Sequence, residues 1–214
     1  MKKYTKKNGG PIEFLQIENE LGSFGKEKAY TDALLHMWKD LKVECQFYYE
    51  DAAEFAHFHY WPGAAIGLSG ATSPQYYLRL RHEQRKVFTP NTFIFGGEIY
   101  TGWMTHWREE WHGNPFEKFE KEMNSLIKSQ LEFSLYMAHG GTNFGLTAGA
   151  NAGIHGMDYE PMVTSYDYDA TITEDGKVTP KYNMVAELMT EYVRGPSITV
   201  PEEIPSMELP PVQP

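Results

Sequence analysis

The run PIEFLQIENELGSFG, residues 11–25, decides how the chain is read. Its apolar stretch from Ile12 to Ile17 reads as a buried strand, and it stops at Glu18-Asn19-Glu20 before Gly22 and Gly25 mark a loop. Helical spacing follows over residues 26–41, with Tyr30, Ala33, Leu34, Met37, Trp38 and Leu41 on one side. The next strand, Val43 to Tyr49, again ends in acids, Glu50-Asp51. Ala64 to Leu68, Thr92 to Phe95 and Phe133 to Met137 complete the strands; the last two stop at Gly96-Gly97-Glu98 and His139-Gly140-Gly141.

Between them, Ser73-Pro74 and Asn114-Pro115 read as cap-plus-proline helix starts, opening helices to about Arg85 and through Lys128. A Gly/Ala/Asn-rich loop leads to Thr164–Asp169, and Pro180 to Val193 reads as a final helix. Upstream, Asn8-Gly9-Gly10 suits a helix C-cap without a helix body before it. The order is strand, helix, strand, strand, helix, strand, helix, strand, helix, which argues for a parallel sheet covered by helices. Residues 196–214 have the Pro- and Glu-rich composition of a linker.

Composition narrows the function. The chain has 214 residues and a net charge of −10, and its one clear basic cluster is Lys2, Lys3, Lys6 and Lys7, which disfavours nucleic acid as a partner. No apolar run approaches the roughly 20 residues of a membrane span. Cys45 is the only cysteine, so neither an intrachain disulfide nor a thiolate cluster can form. Neither a signal-peptide core nor an Asn-x-Ser/Thr acceptor occurs to indicate a compartment. The aromatic content of 14% suits either a core or sugar-stacking surfaces.

Acidic residues recur where apolar strands stop. In a parallel βα barrel those strand ends share one face, where such enzymes build their active sites. Glu20 and Glu98 can therefore converge although far apart in sequence. Two carboxyls about 5–5.5 Å apart suit glycoside hydrolysis, one attacking the anomeric carbon while the other protonates the leaving oxygen. The competing reading of each is a solvated loop acid or a helix-start charge.

Four longer motifs carry more than spacing. GGPIEFLQIENELGSFG (9–25), GEIYTGWMTHW (97–107), LYMAHGGTNFG (135–145) and TSYDYDA (164–170) resemble, in order, segments of glycoside hydrolase family 35, the β-galactosidases. The resemblance implies a (β/α)8 TIM barrel, incomplete here: strands four to eight, in a catalytic-domain portion over residues 1–195. It also implies a retaining, exo-acting β-galactosidase without metal or organic cofactor, with Glu20 as acid/base and Glu98 as nucleophile. Asn19 and Tyr168 match positions that hold the galactose, and Tyr136 and Trp103 match pocket residues.

This chain has Leu21 where the family commonly has Tyr, Ala138 where an aromatic is frequent, and Gly97 where a larger polar residue is common. The implied partner is a galactoside or oligosaccharide; the parent's implied location is lysosomal, secreted or periplasmic. An open half of a barrel implies instability, self-association, or need of the missing strands, and hence an inactive isolated chain. A related exo-β-glycosidase such as a β-glucosaminidase, or a truncated non-catalytic carbohydrate-binding homologue, is the alternative.

Other residues have plainer readings. His57 and His59 would share one side of a strand and could ligate a metal, but ordinary pocket-rim histidines are the better reading. His139 either orients pocket groups or bonds the Gly-rich loop. Trp61, Trp103, Trp107 and Trp111 divide between sugar stacking and the core, with at least two expected in the core.

Overall fold

A computed structural model describes residues 1–83, 86–153, 156–193, 199–205, 207 and 210. Arg85, the expected end of the second helix, and most of the expected linker lie outside the described residues.

Five strands form one parallel sheet in chain order: β1 (Phe14–Asn19), β2 (Gln46–Asp51), β3 (Ala65–Ser69), β4 (Ile94–Tyr100) and β5 (Phe133–Tyr136). The helices are α1 (Lys28–Asp40), α2 (Pro74–Glu83), α3 (Phe116–Lys128) and α4 (Pro180–Val193). Their order with the strands is the one expected.

Strand parity sorts the side chains. Leu15 and Ile17 of β1 pack with Val43, Leu34 and Trp38 under α1. Ile66, Leu68, Ile94 and Ile99 join Phe119, Met123, Leu126 and Ile127 of α3 and Met184 and Leu188 of α4 in the main core. The alternate residues line the other face. There Phe14, Tyr48, Phe93 and Phe95 form an aromatic cluster with ring centroids 5.2–6.2 Å apart.

Several local readings are corrected. β1 and β4 run past their apolar stretches into Asn19 and Tyr100, so Glu98 sits within its strand. On α1 the buried residues are Thr31 and Leu35, whereas Tyr30, Met37 and Leu41 are exposed. Helix α3 takes Pro115 as N-cap without a side-chain cap bond; Asn114 instead donates its backbone N–H to Asp169 Oδ2 at 3.0 Å and its Nδ2 to Glu122 Oε2 at 3.3 Å. At α2 the cap forms as read, Ser73 Oγ accepting from Tyr76 N at 3.3 Å. Gly9, left-handed at φ 81°, caps a short 3-10 turn, which supplies the body missing before Asn8-Gly9.

His59 is not at a pocket rim. It is buried, with ring nitrogens 3.4 Å from Thr31 Oγ1 and 3.3 Å from the Gly25 carbonyl, and its segment is a turn rather than a strand. Of the four tryptophans singled out, Trp61 packs in the core, while Trp107 and Trp111 are 61% and 68% exposed.

Candidate active site

The two glutamates reach the carboxyl rim of the sheet by the same device. Gln16 pairs with Tyr48 and Asn19 with Glu50, so β1 carries one residue more than β2 over that interval. Gly67 pairs with Phe95 and Ser69 with Glu98, so β4 carries one more than β3. Each is a β-bulge, which breaks the alternation and re-aims the residues beyond it. In β1 the extra residue is accommodated with Glu18 left-handed at φ 65°, and Glu20 follows at φ 51°. Non-glycine residues rarely adopt that region, at a cost of about 1–3 kcal/mol each, and the surroundings must hold them there.

Asp51 supplies part of that hold. Its carboxylate accepts from Gly22 N at 2.7 Å and Ser23 Oγ at 3.0 Å, pinning the loop behind Glu20. Glu20 N itself donates to the Glu50 carbonyl at 2.8 Å.

Ser69, at the end of β3, joins the acids. Its hydroxyl lies 2.7 Å from Glu20 Oε1 and 3.3 Å from Glu50 Oε1, and it is register neighbour to Glu98. Glu98 has its carboxyl pushed above the ordinary range, first by burial and then by the charge of Glu20, against a hydrogen bond with Tyr100. Thus Glu20 and Glu98 share one electrostatic site around Ser69 and Tyr100.

Glu50 is a third acid in the same place. It is 3% exposed, and burial, followed by the charge of Glu98, pushes its pKa up to about 9; a hydrogen bond donated by Ser69 would oppose the rise, and Glu20 and Asp51 add to it. A Cβ at Gly67 or Gly97 would overlap its carboxylate, so these two glycines form its berth.

An aromatic wall borders the acids. Tyr168 is buried and left-handed at φ 63°, with Tyr166 stacked at 5.2 Å, Tyr136 edge-on at 5.3 Å and Trp103 at 5.9 Å. Tyr100 meets Trp103 at 5.2 Å and Tyr136 at 6.2 Å, and the Tyr136 and Tyr166 hydroxyls lie 3.2 Å apart. Asn19 is exposed beside Glu20, its Oδ1 accepting from Gln16 Nε2 at 2.8 Å.

The structure therefore gathers Glu98, Tyr136, Tyr168 and Trp103 around Tyr100, and Glu20 with Asn19 across Ser69. Sequence reading missed Ser69, Tyr100 and Tyr166 and gave Glu50 no role. Tyr100 had a signal: it lies two residues beyond Glu98 on one strand, hence on the same face. His139 takes the second of its two readings, its Nδ1 lying against the Gly140 carbonyl.

One cluster among the described residues has metal-ligand composition: His106, Glu109 and His112 bring their ligand atoms within 4.8 Å of one another. Hydrogen bonding accounts for it. Glu109 Oε2 accepts from His106 N at 2.8 Å and meets His106 Nδ1 at 2.7 Å and His112 Nε2 at 3.0 Å. Those contacts hold its carboxyl below the ordinary range, the backbone N–H foremost.

Acids crowded on the carboxyl rim of a parallel βα sheet, beside a wall of tyrosines, make a site of the kind that βα-barrel enzymes build at that face. The chain belongs to glycosyl hydrolases family 35, whose pattern matches residues 1–192. It is 36% identical to "Beta-galactosidase 17" of Arabidopsis thaliana over 88% of this chain, and 34% identical to "Beta-galactosidase 8" of Oryza sativa subsp. japonica over 92%. It is 30% identical to the human "Beta-galactosidase-1-like protein 3" over 97%. The chain spans only 28%, 30% and 31% of the length of these curated relatives. The five-stranded parallel sheet is consistent with part of the barrel that the family implies.

Proposed function

We propose that this chain carries the catalytic pair of a retaining, exo-acting β-galactosidase, with Glu98 as nucleophile and Glu20 as acid/base. The observation that carries the reading is that the charge of Glu20 acts on Glu98, while Ser69, the register neighbour of Glu98, holds Glu20 at 2.7 Å. In the first step Glu98 attacks the anomeric carbon and forms an ester to the sugar while Glu20 protonates the leaving oxygen; in the second, Glu20 takes a proton from a water that attacks the anomeric carbon, breaking the bond to Glu98 and releasing the sugar. Burial and the charge of Glu20 disfavour ionised Glu98, and the positive charge that develops on the sugar offsets them as Glu98 attacks. Asn19, Tyr136, Tyr168 and Trp103 hold the sugar: Asn19 by hydrogen bonding a hydroxyl, the aromatic residues by presenting flat faces with polar tips.

In this reading the sheet supplies strands four to eight of the barrel, and residues 196–214 form a tail beyond the catalytic portion. The relatives' names support galactose as the sugar. In a chain that completes the barrel around these residues, trapping with a 2-fluoro-galactoside followed by peptide mapping is expected to label Glu98, and Glu20→Gln to lower aryl-galactoside turnover by roughly 100- to 10,000-fold. A label on any other carboxylate, or turnover of aryl-glucosaminide in place of galactoside, overturns the assignment.

A further inference from the structure

We propose that Glu50 is a positioning residue: it stands as a neutral carboxylic acid that donates to Ser69 Oγ and so commits the single Ser69 hydroxyl proton to Glu20. This rests on the reading of Glu20 as acid/base.

Ser69 lies between two carboxyl oxygens and has one proton to give. The shorter contact, 2.7 Å to Glu20 Oε1, is the one that receives it. That leaves a lone pair of Ser69 Oγ facing Glu50 Oε1 at 3.3 Å. If Glu50 were ionised, two acceptors would face each other without a proton between them. A proton on Glu50 Oε1 turns that contact into a hydrogen bond.

The surroundings agree. Glu50 Oε2 is buried without a hydrogen-bond partner among the described residues, which is far less costly for the carbonyl oxygen of an acid than for a carboxylate. The ionisable groups facing Glu50 are acids: Glu98 from β4, Glu20 beyond β1, and Asp51 on its own strand. The phenols of Tyr48 on the same strand and Tyr77 on α2 also sense its charge. Burial and those acids favour the protonated form at neutral pH. The berth formed by Gly67 and Gly97 fits an acid that stays in place rather than one that swings out to water. The consequence for the site is twofold. A third negative charge is kept from the Glu20–Glu98 pair, and the Ser69 proton has one destination.

The test is a pH titration of the 214-residue chain labelled with carboxyl-13C glutamate, the Glu50 signal being assigned by its loss in Glu50→Gln. Glu50 is expected to be protonated at pH 7 and to titrate near pH 9. In Ser69→Ala its midpoint is expected to fall by roughly half a unit to one unit, because the neutral acid loses its acceptor.

A Glu50 signal already ionised at pH 7, or a midpoint that rises in Ser69→Ala, overturns the proposal; a rise would mean that Ser69 donates to Glu50. Should Ser69→Ala not fold, Glu20→Gln serves. Removal of the like charge lowers the Glu50 midpoint, and an unmoved midpoint refutes the coupling. None of these readings needs turnover. A chain that cleaves no galactoside leaves the result standing, while a labelled Glu98 alongside an ionised Glu50 sinks this inference alone.

Discussion

At the scale of residues, Glu50 couples site chemistry to stability, and the sign can be worked out. Its pKa rises from an ordinary 4.5 to about 9 on folding, so over that interval the native state holds a proton that the unfolded chain has released. Stability therefore falls as pH rises through the window and is insensitive to Glu50 below it. Glu50→Gln has no proton to hold, and its carboxamide is nearly the same size. Urea unfolding at pH 5, 7 and 9 is expected to show the variant gaining on the wild type at each step. A difference constant with pH would contradict the linkage. The same berth gives a reason for glycine at position 97: a Cβ there would strike the Glu50 carboxylate. The pairing of Glu50 with Gly67 and Gly97 was illegible beforehand. These residues sit on three strands, and only register brings them together. Glu20 and Glu98 stood out because both follow apolar stretches within long motifs. Ser69 did not, since a serine after a strand looks like any turn residue.

At the scale of elements, the apolar runs announced the strands, but their limits were obscured where bulges carry β1 and β4 on through polar residues. The exposed face of α1 was misread because Met37 and Leu41 are apolar but point to solvent, whereas Thr31 is buried with its hydroxyl bonded back to the Lys28 carbonyl. Lys181 is a clearer case of the same difficulty. In the sequence it is one more helix-start lysine. In the fold it is buried, and its ammonium group donates to the Thr101 carbonyl at 2.7 Å and the Asp169 carbonyl at 3.3 Å while pairing with the Asp169 carboxylate. It thereby ties α4 to the end of β4 and to the left-handed pair Tyr168 and Asp169. Lys181→Met leaves Asp169 and two carbonyls without that partner. Because the Asp169 side chain is 40% exposed, water screens part of the loss, and the expected cost is roughly 1–3 kcal/mol. Lys177→Met, which removes the exposed pair with Asp175, is expected to leave the denaturation midpoint unmoved. Equal denaturation midpoints for the two variants would show that Lys181 does not hold the loop.

At the scale of the whole molecule, one face of the sheet is sealed and the other is not. The helices cover Ile66, Leu68, Ile94 and Ile99 completely, whereas on the opposite face Phe14 is 39% exposed and Tyr48, Phe93 and Phe95 are only partly buried. Strands β1 and β5 each pair on one side in the sheet. A barrel removes both conditions at once, by joining the edges and filling the interior with side chains. Without closure, an aromatic face and two free edges invite a second copy of the same surface, because apolar area hidden in that way contributes about 25 cal/mol per Å². The isolated 214-residue chain is therefore expected to associate as its concentration rises, as sedimentation equilibrium would register. Phe14→Lys should weaken that association without unfolding the chain, since Phe14 lies outside the helix-side cores and its charge can reach water. Tyr30→Lys, on the exposed part of α1, is the matching control and should leave association unchanged. A wild-type chain that remains monomeric across the whole concentration range would mean that the aromatic face is stable against water as it stands; equal effects of the two lysines would mean that association runs through another surface.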